Sequence, residues 1–109
     1  EQTFVNKLNQ IIQANIDNAE FSVENLADLL NISRIQLYRK IKAMFDVNVS
    51  DYINNIRLEQ AKSMLQNPDF TISEIAYKTG FSSPNYFSTV FKNKFGVSPN
   101  VFRKSVGEE

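Results

Sequence analysis

The sequence predicts an all-α fold of about seven helices, with two helix-turn-helix subdomains joined by a long linker helix. Two observations carry that prediction. The first is an internal repeat, the mark of a duplicated supersecondary unit. Leu37, Ile41, Phe45, Val47 and Tyr52 recur fifty positions on as Phe87, Phe91, Phe95, Val97 and Phe102, while Ser22, Leu26 and Ala27 recur forty-nine on as Thr71, Ile75 and Ala76. The change of offset makes the turn of the second copy one residue longer. The second observation is periodicity: apolar residues fall at helical spacing along the chain, and no segment sustains the alternation that strands need.

Taken in order, Phe4, Val5, Leu8, Ile11, Ile12 and Ile16 predict an amphipathic helix over residues 3–17, a brace packed across the first unit. Ser22 caps a short helix whose apolar side is Val23, Leu26, Ala27 and Leu30, and Asn31-Ile32 form the turn. Ser33-Arg34-Ile35-Gln36 has the form of a capping box, opening a helix from Arg34 to about Met44. On it Leu37, Ile41, Met44 and Phe45 share the inward face. Asp46 to Asn48 interrupt the pattern. A linker helix then runs from about Ser50 to Gln66, stopped by Asn67-Pro68. At 1.5 Å per residue it is a rod of roughly 25 Å, a suitable length for holding two small units apart.

The second unit opens on Thr71-Ile72-Ser73-Glu74, another capping box. Gly80 suits the left-handed conformation that ends a helix, and Phe81 is the buried residue of the turn. Ser83-Pro84 and Ser98-Pro99 each place a capping hydroxyl before a proline at the first helical position. On the helix from Pro84, Phe87, Val90, Phe91 and Phe95 face inward. The chain thus divides into residues 1–47 (brace helix and first helix-turn-helix), 48–67 (linker helix) and 68–109 (second helix-turn-helix and last helix).

Composition narrows the function classes. Without histidine or cysteine, disulfides, thiolate metal sites and the commonest general base are excluded, and no cofactor is implied. No apolar run approaches the ~20 residues that span a bilayer, and the amino terminus carries no export-type segment. The reading is a soluble, cytoplasmic segment. Twelve basic and twelve acidic residues cancel overall. Their distribution is uneven: Arg34, Arg39, Lys40 and Lys42 lie in one acid-free stretch, and Lys78, Lys92, Lys94, Arg103 and Lys104 in another. Salt screens charges beyond ~10 Å at 0.1 M, so this local field matters more to a polyanion than the total does.

A helix, a tight turn and a second helix carrying cations is the arrangement that lays a recognition helix in the DNA major groove. With the apolar faces inward, Arg34, Ile35, Tyr38, Arg39 and Lys42 are left outward on one such helix, and Asn85, Tyr86, Ser88, Thr89 and Lys92 on the other.

Ala76-x3-Gly80-Phe81, Phe87-x3-Phe91-Lys92, Gly96-x-Ser98-Pro99-x2-Phe102-Arg103 and Arg57-Leu58-x2-Ala61-x2-Met64-Leu65 together resemble the signature of the AraC/XylS family of bacterial transcription regulators. The resemblance covers the chain from Ser22 to Arg103. It implies a double-stranded DNA partner, two recognition helices in successive major-groove segments, and binding as a monomer to a non-palindromic site. Carried over by position, the base-contacting residues are Ile35, Tyr38 and Arg39 on the first recognition helix, and Asn85, Tyr86 and Thr89 on the second. The phosphate-contacting set is Arg34, Lys40, Lys42, Lys78, Ser83, Ser88 and Lys92. RNA polymerase is the implied protein partner, and the regulatory input is expected in another domain of a longer parent chain. The run from Ser33 to Lys42 and the helix before Ser22 are similar to versions attached to two-component regulators, hybrid sensors included.

Blander readings stand beside these. The phenylalanines of the second unit read as core and not as a base-stacking platform. Lys40 pointing sideways into solvent, Tyr38 packed on Ile35, and Tyr86 partly buried are competing readings. Arg57 reads as structural, in an ion pair with Asp51 or Glu59. Catalysis has little support, since the carboxylates lie in first helical turns where capping and the helix dipole account for them. A helical protein-binding adaptor is the alternative function.

Overall fold

Apart from the first, each helix begins where a side chain can satisfy the amides that a helix leaves unpaired at its start. In the computed structural model, which describes residues 2–107, seven helices follow and the described residues contain no strand. They are α1 (Gln2–Ala14), α2 (Val23–Leu29), α3 (Arg34–Phe45), α4 (Val49–Met64), α5 (Ile72–Lys78), α6 (Pro84–Phe95) and α7 (Pro99–Gly107). Ser33 Oγ accepts from the Gln36 N–H at 3.0 Å, and Gln36 Oε1 accepts in return from the Ser33 N–H at 2.9 Å. Thr71 and Glu74 make the same reciprocal pair, and the donation from the Thr71 N–H lowers the pKa of the Glu74 carboxyl. Ser22 makes a third box with Asn25, a pairing that the usual Ser-x-x-Glu/Gln pattern misses. Ser83 and Ser98 cap α6 and α7 as expected.

Several boundaries differ from the sequence reading, three of them for a visible local reason. α1 stops at Ala14 and not at residue 17, because the Asn15 side chain donates to the Ile11 carbonyl at 2.8 Å while the backbone tightens into bonds from Asn15 to Ile12 and from Ile16 to Gln13. α4 starts at Val49, one residue early, since Asn48 Oδ1 accepts from the Asp51 N–H at 2.8 Å. It ends at Met64, short of Gln66, where Gln66 and Asn67 bond back three residues and the Arg103 Nε donates to the Leu65 carbonyl at 3.0 Å. The guanidinium also reaches the Asn67 carbonyl, at 3.2 Å. A cation thus sits at a helix C-terminus, where the backbone carbonyls favour it. Arg103→Ala should lower stability by about 1.5 kcal/mol, the low end for bonds from a charged donor because the group is only partly buried. An unchanged urea midpoint would show the cap to be dispensable.

The chain divides into two units, with a boundary inside α4. One holds the residues up to Ile16 with Glu20–Ile56, the other Asp17–Ala19 with the residues from Arg57 onward. In the first, α1 packs on α2 and α2 on α3 around Leu8, Ile12, Leu26, Leu37, Ile41 and Val49. Tyr52 donates its hydroxyl to Asn9 Oδ1 at 2.6 Å, which ties α4 to the brace helix. In the second, α5 packs on α6 and α6 on α7 around Leu58, Leu65, Ile75, Phe81, Phe87 and Phe91. Phenylalanines fill in this core the volume that aliphatic residues fill in the first. Phe87, Phe95 and Phe102 surround Phe91 with ring centroids 5.6, 4.6 and 5.9 Å away.

The two helix-turn-helix turns close identically. The Ile32 N–H bonds to the Ala27 carbonyl at 3.1 Å, the Phe81 N–H to the Ala76 carbonyl at 3.0 Å, and the left-handed residue is Asn31 in one and Gly80 in the other. The extra residue of the second copy is therefore Ser82, which lies between the buried Phe81 and the cap Ser83, whereas Ile32 adjoins Ser33 directly.

Two packing expectations are corrected. Phe45 does not join the core. It is 37 % exposed, with its ring 4.8 Å from that of Tyr52, whereas its counterpart Phe95 packs on the ring of Phe91, where the first unit has Ile41. Arg57 is buried as expected of a structural residue, but no ion pair holds it among the described residues. Its Nη2 donates to the Asn18 carbonyl at 2.8 Å, and Glu59 instead faces Lys94 at 3.8 Å. No helix among the described residues is long and apolar enough to cross a membrane.

Candidate nucleic-acid interface

The inward faces of α3 and α6 decide what their outward faces can offer. On α3, Leu37 and Ile41 are fully buried, which turns Arg34, Ile35, Tyr38, Arg39 and Lys42 outward. Ile35 and Tyr38 are large apolar or aromatic side chains left 61 % and 45 % exposed. On α6, burial of Phe87 and Phe91 leaves Asn85, Tyr86, Thr89 and Lys92 exposed, with Ser88 half-buried at the edge.

The polar chemistry of α6 is partly committed already. Thr89 donates its hydroxyl to the Asn85 carbonyl at 3.1 Å, so what it has left to offer is a methyl and the acceptor lone pairs of its oxygen. Ser83 Oγ accepts from the Tyr86 N–H at 3.1 Å, which leaves the hydroxyl proton to donate elsewhere. Tyr86 leans on the core, its ring 5.9 Å from Phe81. Burial lowers the pKa of the Arg57 guanidinium, and Tyr86 opposes that shift electrostatically.

The predicted phosphate-contacting cations are not equivalent. Arg34 Nη1 is 3.1 Å from Glu24 Oε1 on α2, and Lys42 Nζ is 2.9 Å from Asp46 Oδ1 at the end of its own helix. The Lys42 ammonium, by its hydrogen bond and then by its charge, lowers the pKa of the Asp46 carboxyl. Lys40 is turned sideways, its ammonium 4.9 Å from the Phe4 ring centroid on α1, and that of Lys78 lies 5.4 Å from Phe70. Among the described residues, Arg39 and Lys92 have neither an ion pair nor a hydrogen bond from their side chains. Sequence reasoning missed Glu24 and Asp46. A signal for Asp46 was present in the repeat, where its counterpart is Gly96.

Each face can hydrogen-bond base edges and hold phosphates, that of α3 through guanidinium, phenol and ammonium groups and that of α6 through amide, phenol and ammonium groups. Residues 26–105 match a family described as a helix-turn-helix domain. The chain is 33 % identical over its whole length to the Histidine kinase P4 of Formosa agariphila, and 34 % identical over 96 % of its length to the Msm operon regulatory protein of Streptococcus mutans. It spans only 8 % and 37 % of those two relatives. Among solved structures, the C-terminal domain of AraT, a response regulator from Geobacillus stearothermophilus, is 34 % identical with a TM-score of 0.85, over 94 % of this chain and 84 % of that one.

Proposed function

Because the chain belongs to the AraC-type helix-turn-helix family of DNA-binding domains of transcription regulators, we propose that α3 and α6 are its recognition helices and enter successive major-groove segments of one duplex. The observation that carries this is the matched pair of outward faces: equivalent helices of the two repeats each bury their aromatic or aliphatic side and expose groups suited to base edges. Ile35, Tyr38 and Arg39 read one segment, and Asn85, Tyr86 and Thr89 the other. A guanidinium pairs with guanine, an amide with adenine, and Ile35 or the Thr89 methyl packs on thymine. Arg34, Lys42, Lys92 and the hydroxyls of Ser83 and Ser88 hold phosphates, with Lys40 and Lys78 joining them once they swing off their rings. The two readers differ in sequence, so the site is non-palindromic and a monomer suffices.

The chain is the output domain of a longer, cytoplasmic, signal-responsive regulator, and its effect at a promoter passes through RNA polymerase. Similarity to a histidine kinase and to a response regulator domain favours a two-component parent.

Selection of bound duplexes from a random pool tests the reading. Two unlike half-motifs about one helical turn, ~10 bp, apart are expected. One short motif would count against a second reader, and no enrichment with a flat salt response would favour an adaptor. Lys92→Ala should weaken binding to selected and random duplexes alike and make the log-log salt slope shallower by about one. An unchanged slope would remove Lys92 from the phosphate set.

A further inference from the structure

The repeat permits a comparison of the two units position by position. Lys42 and Lys92 are equivalent, fifty residues apart, at the same point of α3 and α6. Four residues on, the helix C-cap is Asp46 in the first unit and Gly96 in the second, both left-handed with φ of 57° and 84°. Glycine is the residue that this conformation favours, and a carboxylate at a helix C-terminus faces the negative end of the dipole. Asp46 is thus a poor choice for the backbone and for the helix, yet its carboxylate is seated on Lys42 at 2.9 Å. The same asymmetry recurs at the other end of α3. Glu24 holds Arg34, whereas the corresponding pair in the second unit is Ser73 and Pro84, with no charge on either.

We propose that Glu24 and Asp46 act as internal competitors for the DNA backbone: they occupy two cations of the first reader, Arg34 and Lys42, with protein carboxylates and so weaken its sequence-independent grip, leaving its engagement more dependent on base contacts. This rests on the reading of α3 as a recognition helix. The pairs suit such an exchange, since all four side chains are more than half exposed and ion pairs in water are weak enough to yield to a phosphate. A carboxylate that stays beside its cation also repels the incoming phosphate, so the cation counts as less than one full contact. The second reader has no such restraint on Lys92. The duplex is therefore gripped through α6, and α3 adds discrimination more than hold.

Glu24→Gln and Asp46→Asn test this, the second chosen because asparagine tolerates the left-handed region. Binding of the chain to a random-sequence duplex and to a selected duplex is measured across a salt series, with thermal unfolding of each variant alongside. Each substitution should raise affinity for the random duplex by about threefold to tenfold at low salt and steepen the salt slope by up to about one. The ratio of selected to random affinity should fall. Salt slopes equal to that of the parent chain, with or without a lower Tm, would overturn the proposal and leave the acids as structural. If the parent chain itself shows no salt-dependent duplex binding, the groove-binding reading fails instead.

Discussion

Phe91→Ala should lower the stability of the second unit by about 3–5 kcal/mol, the range for truncating a buried aromatic to alanine. Phe91 is fully buried in the middle of a ring cluster, with Phe87, Phe95 and Phe102 all within 6 Å by centroid. Loss of its ring removes the transfer free energy of the side chain, the edge-to-face contacts with Phe87 and Phe102, and the support that α6 receives from α7. The surrounding rings lie on three different turns or helices and cannot all collapse into the void. Urea unfolding monitored by circular dichroism measures the loss. Phe45→Ala, the counterpart of Phe95 in the first unit, is the comparison, and its cost should be much smaller because that ring already lies partly in water. A Phe91→Ala protein with the parent midpoint that had lost only DNA binding would mean that the wrong face of α6 has been assigned to the core.

Arg39→Ala should leave Tm unchanged and lower affinity for the selected duplex by roughly 5-fold to 150-fold, the equivalent of the ~1–3 kcal/mol that a bidentate pair with guanine contributes. The exposed guanidinium has no ion pair or hydrogen bond among the described residues, so its removal takes nothing from the fold. It is also ready to bond without first releasing a protein partner, unlike Arg34. Competition binding with selected and random duplexes separates the roles. Loss confined to the selected duplex, with relaxed preference at one position of the first half-motif, assigns Arg39 to base reading. Equal losses on both duplexes would make it a phosphate contact.

Much of the fold and of the candidate site's outward faces is legible in the sequence. Apolar residues recurring at helical spacing placed Leu37, Ile41, Phe87 and Phe91 inward, and the opposite faces followed by geometry alone. Capping boxes at Ser33 and Thr71 located the helix starts, since they depend on residues three apart. What was not legible has longer reach. Arg57 to Asn18 and Arg103 to Leu65 are bonds between residues 39 and 38 positions apart, and periodicity carries no information at that distance. Nor does it say that Lys40 turns toward Phe4 while Arg39, its neighbour, stays clear of the protein.

The sequence by itself therefore determined the duplication, the helices and the two faces of each recognition helix, because local hydrogen bonding and the 3.6-residue repeat act within a turn or two of the chain. Only the tertiary structure decided the availability to a polyanion of the cations that other helices reach. Availability depends on what a neighbouring helix brings within reach, as Glu24 on α2 is brought to Arg34 on α3, and that follows from packing around a shared core.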